Sequence, residues 1–167
     1  GAEYFAEVQY IAKDDHEAGF AVNNASWRAI NVNSVSNITG GGVTITQQAG
    51  IYAWEANDAN VTLMKLTNAN EMGSGLDGTF YVAHTVTNNG DGTYHYQYAV
   101  QNLTSDQSAS SFAIPVESGI TITNVDFRDV DYHSGEPYSG TDWSYSQAGG
   151  YLTWSTQTYS QNQNAKA

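Results

Sequence analysis

The sequence predicts an all-β protein: a single antiparallel β-sandwich over residues 1–167, jelly-roll-like, with little helix. Three observations carry the expectation. Apolar residues recur with a period of two along most of the chain, and turn signals rich in Gly, Asn and Asp return about every 8–12 residues. No stretch sustains apolar positions three and four apart over a dozen residues, as a buried helix face requires.

Taken in order, Tyr4, Ala6, Val8 and Tyr10 alternate with Phe5, Glu7 and Gln9, giving a first strand with one apolar face. One or two helical turns fit residues 14–21. Arg28, Ile30 and Val32 oppose Trp27, Ala29 and Asn31 in a second strand, and three successive glycines from Gly40 open a β-branched run over 43–46. Strands are expected next at 51–54 and 61–66. The clearest unit is a hairpin: Phe80, Val82, His84 and Val86 share one face of its first strand. Tyr94, Tyr96, Tyr98 and Val100 share one face of the second, with Asn88 to Gly92 turning between them. Strands follow at 112–116, along a long run over 120–132, and as a final pair at 143–146 and 151–154 joined by Gly149 and Gly150. No internal repeat and no Pro-rich or charged linker interrupts the chain.

Charge excludes several functions. Against 17 Asp and Glu stand 5 Lys and Arg, a net charge of −12. Such a surface repels phosphate backbones and anionic lipid, so neither nucleic-acid binding nor a polybasic membrane contact is expected. No apolar run approaches the roughly 20 residues of a membrane-spanning helix, so no membrane insertion is expected either. The amino terminus lacks the basic-then-apolar pattern of a signal peptide, so an exported form has already lost its leader. The absence of Cys removes disulfides, thiolate metal sites and cysteine nucleophiles.

The segment 126–142 holds the densest chemistry. Val125, Phe127, Asp129, Asp131 and His133 share one face if the segment is a strand, which buries its apolar start and brings the acids out at the rim. Asp126, Asp129, Asp131, Glu136 and Asp142 form a set of oxygen ligands beside a Gly-containing turn, suited to a hard cation, and structural Ca²⁺ is the cofactor they would take. The alternative is that these acids cap turn amides or pair with Arg128 and hold no ion. Asp129 and Asp131 also admit paired-carboxylate glycoside hydrolysis, which depends on a separation that sequence does not supply. No other catalytic template fits: there is no Gly-x-Ser-x-Gly elbow, no His-Glu-x-x-His helix and no phosphate loop ending in Lys. A second acidic knot, Asp14 to Glu17, reads as a solvated loop.

Tyr94, Tyr96, Tyr98 and Trp143 are candidate platforms for a neutral glycan, since flat rings stack on sugars. The competing reading places aromatics of a β-sandwich in core and cross-strand packing. Asn24, Asn37, Asn60 and Asn102 each begin a glycosylation sequon, either used or produced by chance in a chain rich in Asn and Thr.

The run from Asp129 through His133, Ser134, Gly135, Glu136, Pro137, Tyr138 and Asp142 to Trp143 resembles the hallmark of a domain that recurs in large secreted proteins of planctomycete-type bacteria. The stretches from Asn23 to Arg28, Tyr94 to Ser111 and Thr153 to Thr156 are similar too. The resemblance implies export and a repeated extracellular or cell-surface role, and it carries over no catalytic residue. It also implies a further aromatic strand beyond Ala167, making this chain a fragment or a fold lacking a terminal strand. The resulting expectation is a non-catalytic structural domain, a subunit of a surface or filamentous assembly that associates with itself or with neighbouring domains through strand edges. A carbohydrate-binding module is the alternative, and a glycan-active enzyme the third reading.

Overall fold

The computed structural model describes residues 2–68, 78–105, 108–128, 140–158 and 160–162. Strands take 46% of them and helices 10%, all the sheets are antiparallel and the two α-helices are short, so the expected all-β class holds. The chain divides into two compact units, Gly1–Asp106 and Gln107–Ala167.

In the first unit, β1 (Tyr4–Gln9) pairs with β2 (Ala25–Ser34), Tyr4 lying opposite Ile30 and Gln9 opposite Ala25. The connection is a short helix α1 (Lys13–Glu17) and a 3₁₀ turn at Ala21–Asn23, in the expected place. On its other side β2 pairs with β3 (Asn37–Gly40) and, nearer its start, with the two-residue β4 (Ile45–Thr46). The β2–β3 ladder shifts register between Val32 and Ser34. Arg28 crosses over Gly40: a Cβ there would sit 2.5 Å from the guanidinium Nη2, which donates to the Gly42 carbonyl at 2.5 Å, so a larger residue would push that side chain aside.

The second sheet runs β5 (Thr62–Asn68), β6 (Gly78–Asn88), β7 (Tyr94–Asn102). The hairpin read from the sequence is present in full, with Val86 opposite Tyr96 and Asn88 opposite Tyr94. Its turn is closed by its own side chains: Asn88 Oδ1 accepts from Gly90 N–H at 2.8 Å, and Asp91 Oδ1 accepts from Thr93 N–H at 3.0 Å. Thr79, Tyr81, Ala83 and Thr85 alternate onto the buried face of β6. Tyr81 joins Ala25 of the first sheet, Ala49 and Leu103 in one core cluster, so the two sheets of this unit share their apolar interior. Polar groups also cross between them. Gln9 Nε2 donates to the Leu103 carbonyl at 2.9 Å, and Gln101 Nε2 donates to Glu7 Oε2 at 2.7 Å.

Residues 51–54, expected as a strand, instead enter the helix α2 (Tyr52–Asn57). A short apolar run does not separate strand from helix by period alone. Here the deciding groups come from distant strands. Glu7 Oε2 accepts from Gly50 N–H, Gln101 Oε1 accepts from Ile51 N–H at 3.0 Å, and two amides that a helix start leaves free are thereby satisfied.

The second unit is a sheet in the order β8 (Ser111–Pro115), β10 (Tyr151–Ser155), β9 (Ser144–Ala148). Ala148 and Tyr151 are opposite each other across Gly149 and Gly150, whose φ values of 60° and 81° make the tight primed turn the sequence calls for. Trp143, Leu152 and Trp154 are its buried core. The expected strand over 120–132 is not formed in its described part, residues 120–128. Asn124 adopts φ 55°, which breaks the extended run. The local alternation survives past that break: Val125 and Phe127 turn into the core, while Asp126 and Arg128 are exposed.

Candidate functional site

Residues of β5, β6 and β7 with even numbers share the face of the sheet that points away from the core cluster. Register places Met64, Val82 and Val100 in one row, Thr62, His84 and Tyr98 in the next, then Val86 with Tyr96 and Asn88 with Tyr94. Tyr94 and Tyr96 are 56% and 54% exposed, and Met64, Leu66, Val86 and Val100 are exposed with them. Tyr98 is half-buried and stacks on His84, ring centroids 6.0 Å apart and planes 27° from parallel. Burial, and then the neighbouring Tyr96, push the Tyr98 phenol up from its ordinary value.

The structure thus brings Tyr94, Tyr96 and Tyr98 onto one surface, as their spacing predicts, and adds Met64 and Leu66 of β5. Those two could have been found from the alternation of Thr62, Met64 and Leu66 with Leu63 and Lys65, had the pairing of β5 with β6 been known. The three strands contain no Asp or Glu, so this face is neutral in a chain of net charge −12. It offers ring faces, aliphatic side chains and phenol hydroxyls, which suits stacking and apolar contact rather than proton transfer.

Trp143, proposed as a fourth platform, is 6% exposed and packs inside the second unit. Phe127 stacks on it with centroids 5.2 Å apart and planes 13° from parallel, so its place is in the core and not on a sugar-binding surface. Trp27 and Trp154 are buried as well.

Of the acidic set, Asp129, Asp131 and Glu136 lie outside the described residues, as do His133 and Ser134. Asp126 and Asp142 both border an open hollow of about 370 Å³ in the second unit, lined also by Phe127 and Trp143. Asp126 Oδ1 accepts from the N–H of Phe127 at 3.0 Å. Among the described residues no group of three or more His, Asp and Glu converges on a point that would hold a metal ion.

The four sequons differ in setting. Asn37 and Asn60 are exposed. The Asn24 amide donates to Asp15 Oδ2, and Asn102 is half-buried, exchanging hydrogen bonds of 2.9 and 2.8 Å with the Ser105 backbone. No helix among the described residues is long and apolar enough to cross a membrane. No family model, curated protein or solved structure matches the chain.

Proposed function

We propose that this chain is a non-catalytic structural domain of an extracellular assembly, associating with copies of itself or with neighbouring domains. The observation that supports it is the outer face of β5–β6–β7: Met64, Leu66, Val86, Tyr94, Tyr96 and Val100 are all exposed on one side of one sheet. Exposed apolar side chains grouped on one face of a sheet suit an interaction surface. The first sheet shows a similar pattern on its outer side, where Tyr4, Val8, Val32 and Ile38 are exposed. Sedimentation velocity and electron microscopy across a wide concentration range test the reading. Concentration-dependent assembly is expected; a monomer at every concentration would sink it.

A second reading rests on Tyr94 and Tyr96 alone. Alternate positions on a strand lie about 6.6 Å apart, and two exposed phenol rings at that spacing can meet the apolar faces of a neutral glycan. A glycan array probed with the intact chain and with Tyr94→Ser/Tyr96→Ser separates the two readings, since only glycan binding gives hits that the double variant loses.

A further inference from the structure

We infer that the free edge of β1 is a self-pairing edge: it takes β1 of a second copy, antiparallel, about a two-fold axis at Val8. The inference rests on the assembly reading above and names the contact through which it occurs.

Four observations lead to it. First, among the described residues β1 ends its sheet, with β2 on one side only. Tyr10 N–H donates to the Asn24 carbonyl at 3.2 Å, continuing the ladder in which Val8 faces Ser26 and Ala6 faces Arg28. Antiparallel ladders alternate, so Tyr4, Ala6, Val8 and Tyr10 turn their peptide groups toward β2, while Phe5, Glu7 and Gln9 turn theirs outward. None of those outward groups has a backbone partner among the described residues.

Second, the strand lacks most of the devices that blunt an edge. It contains no Lys, Pro or Gly, and its register with β2 is unbroken from Tyr4 to Gln9. Its one charge, Glu7, points to the inner side and is occupied there by Gly50 N–H and the Gln101 amide. By contrast β3, on the far side of the same sheet, is a four-residue strand of Asn, Ile, Thr and Gly.

Third, the exposed side of β1 is apolar. Tyr4, Val8 and Tyr10 are 49%, 64% and 77% exposed. An unpaired edge beside exposed apolar side chains is a template for strand addition.

Fourth, the pairing is self-complementary about Val8. Hydrogen-bonded pairs must form between outward residues, which sets Glu7 against Gln9 of the second copy and Phe5 against its Ile11. On the outer face Val8 then meets Val8, and Ala6 meets Tyr10. Like charges are nowhere opposed, as they would be about an axis at Glu7. Two chains of net charge −12 repel over most of their surfaces, and an edge whose single carboxylate is already hydrogen-bonded is where they approach at least cost.

The chain has no Cys, so one engineered thiol reports the contact cleanly. Residues opposed in a non-hydrogen-bonded antiparallel pair have Cα atoms about 4.5 Å apart, within disulfide range. Val8→Cys in the full chain is therefore expected to form a covalent dimer under mild oxidation. Val35→Cys, fully exposed in the turn between β2 and β3, is expected to stay uncrosslinked and measures random collision. Val8→Lys opposes two ammonium groups at the axis and is expected to weaken self-association about tenfold, or about 1.4 kcal/mol, with circular dichroism unchanged. If the wild-type chain associates but Val8→Cys crosslinks no faster than Val35→Cys, and Val8→Lys associates normally, the β1 edge is not the contact. The assembly reading then survives through another surface, the outer face of β5–β6–β7 first. A wild-type chain that stays monomeric at all concentrations overturns both.

Discussion

The indole Nε1 of Trp154 donates a 3.0 Å hydrogen bond to the carbonyl oxygen of Asp126, 28 residues earlier in the chain. Residues 120–128 have no ladder of their own, and this bond ties them to β10 while Val125 and Phe127 pack beside it. The same indole is 9% exposed, so its N–H would otherwise be buried without a partner.

Trp154→Phe keeps an aromatic ring but removes that donor and leaves the Asp126 carbonyl less satisfied. A loss of about 1–3 kcal/mol is expected in chemical denaturation. Trp154→Ala also opens a cavity in a three-residue core and should cost about 3–5 kcal/mol. A Trp154→Phe variant as stable as the parent chain would show that ring volume, not the bond, is what matters.

Gly50 is held against Glu7. A Cβ at position 50 would lie 2.6 Å from Glu7 Oε2, the atom that accepts from Gly50 N–H. Gly50→Ala must displace that carboxylate and should destabilise the chain by about 1–3 kcal/mol. Glu7→Ala and Gln101→Ala break the same connection from its two ends, so a double-mutant cycle should show a coupling of about 0.5–3 kcal/mol. Strict additivity would mean that the two side chains do not act as a unit.

Burial, and then the adjacent Tyr52, push the Tyr81 phenol up to about 12. The unfolded chain releases this proton near pH 10, whereas the folded chain holds it until about pH 12. The unfolded state therefore binds fewer protons between those values, and stability falls as pH rises through that window. Below pH 10 the contribution is fully present. Tyrosinate absorbance should show a late-ionising tyrosine that Tyr81→Phe removes, and the alkaline loss of melting temperature should shrink with it.

Gly149→Ala places a Cβ where φ is 60°, in a two-residue turn that sets the pairing of β9 with β10. Left-handed backbone costs a residue other than Gly about 1–2 kcal/mol, and thermal unfolding should report a loss of that order. An unchanged transition would show that this hairpin contributes little to the second unit.

Much of this architecture is legible in the sequence where a strand buries one face and its neighbour is close in the chain. The alternation of Tyr94, Tyr96 and Tyr98 with polar residues, next to an Asn- and Gly-rich turn, gives both the hairpin and the exposed tyrosine row. Local pattern fails where a distant group decides. α2 begins just after Gly50 and Ile51, whose amides donate to Glu7 and Gln101, 43 and 50 residues away. β3 leaves no signal in the sequence because all four of its residues are exposed and give no apolar alternation to follow. Trp143 looks like a ring available for stacking until Phe127 is placed against it. Residues 120–128 alternate as a strand would, but one left-handed backbone angle, at Asn124, is invisible in composition.

The turn that joins β6 to β7 has a kinetic consequence. Asn88, Asn89, Asp91 and Thr93 bond among themselves and to the turn backbone, so the loop needs nothing from the rest of the chain to close. Closing so short a loop costs little entropy, whereas bringing Gln9 to Leu103 or Glu7 to Gln101 spans 94 residues in each case. The β6–β7 ribbon is thus the cheapest place for folding to begin, with the first strand added late. Substitutions at Asp91 should slow refolding, and those at Glu7 should mainly hasten unfolding, a contrast that stopped-flow measurements would expose.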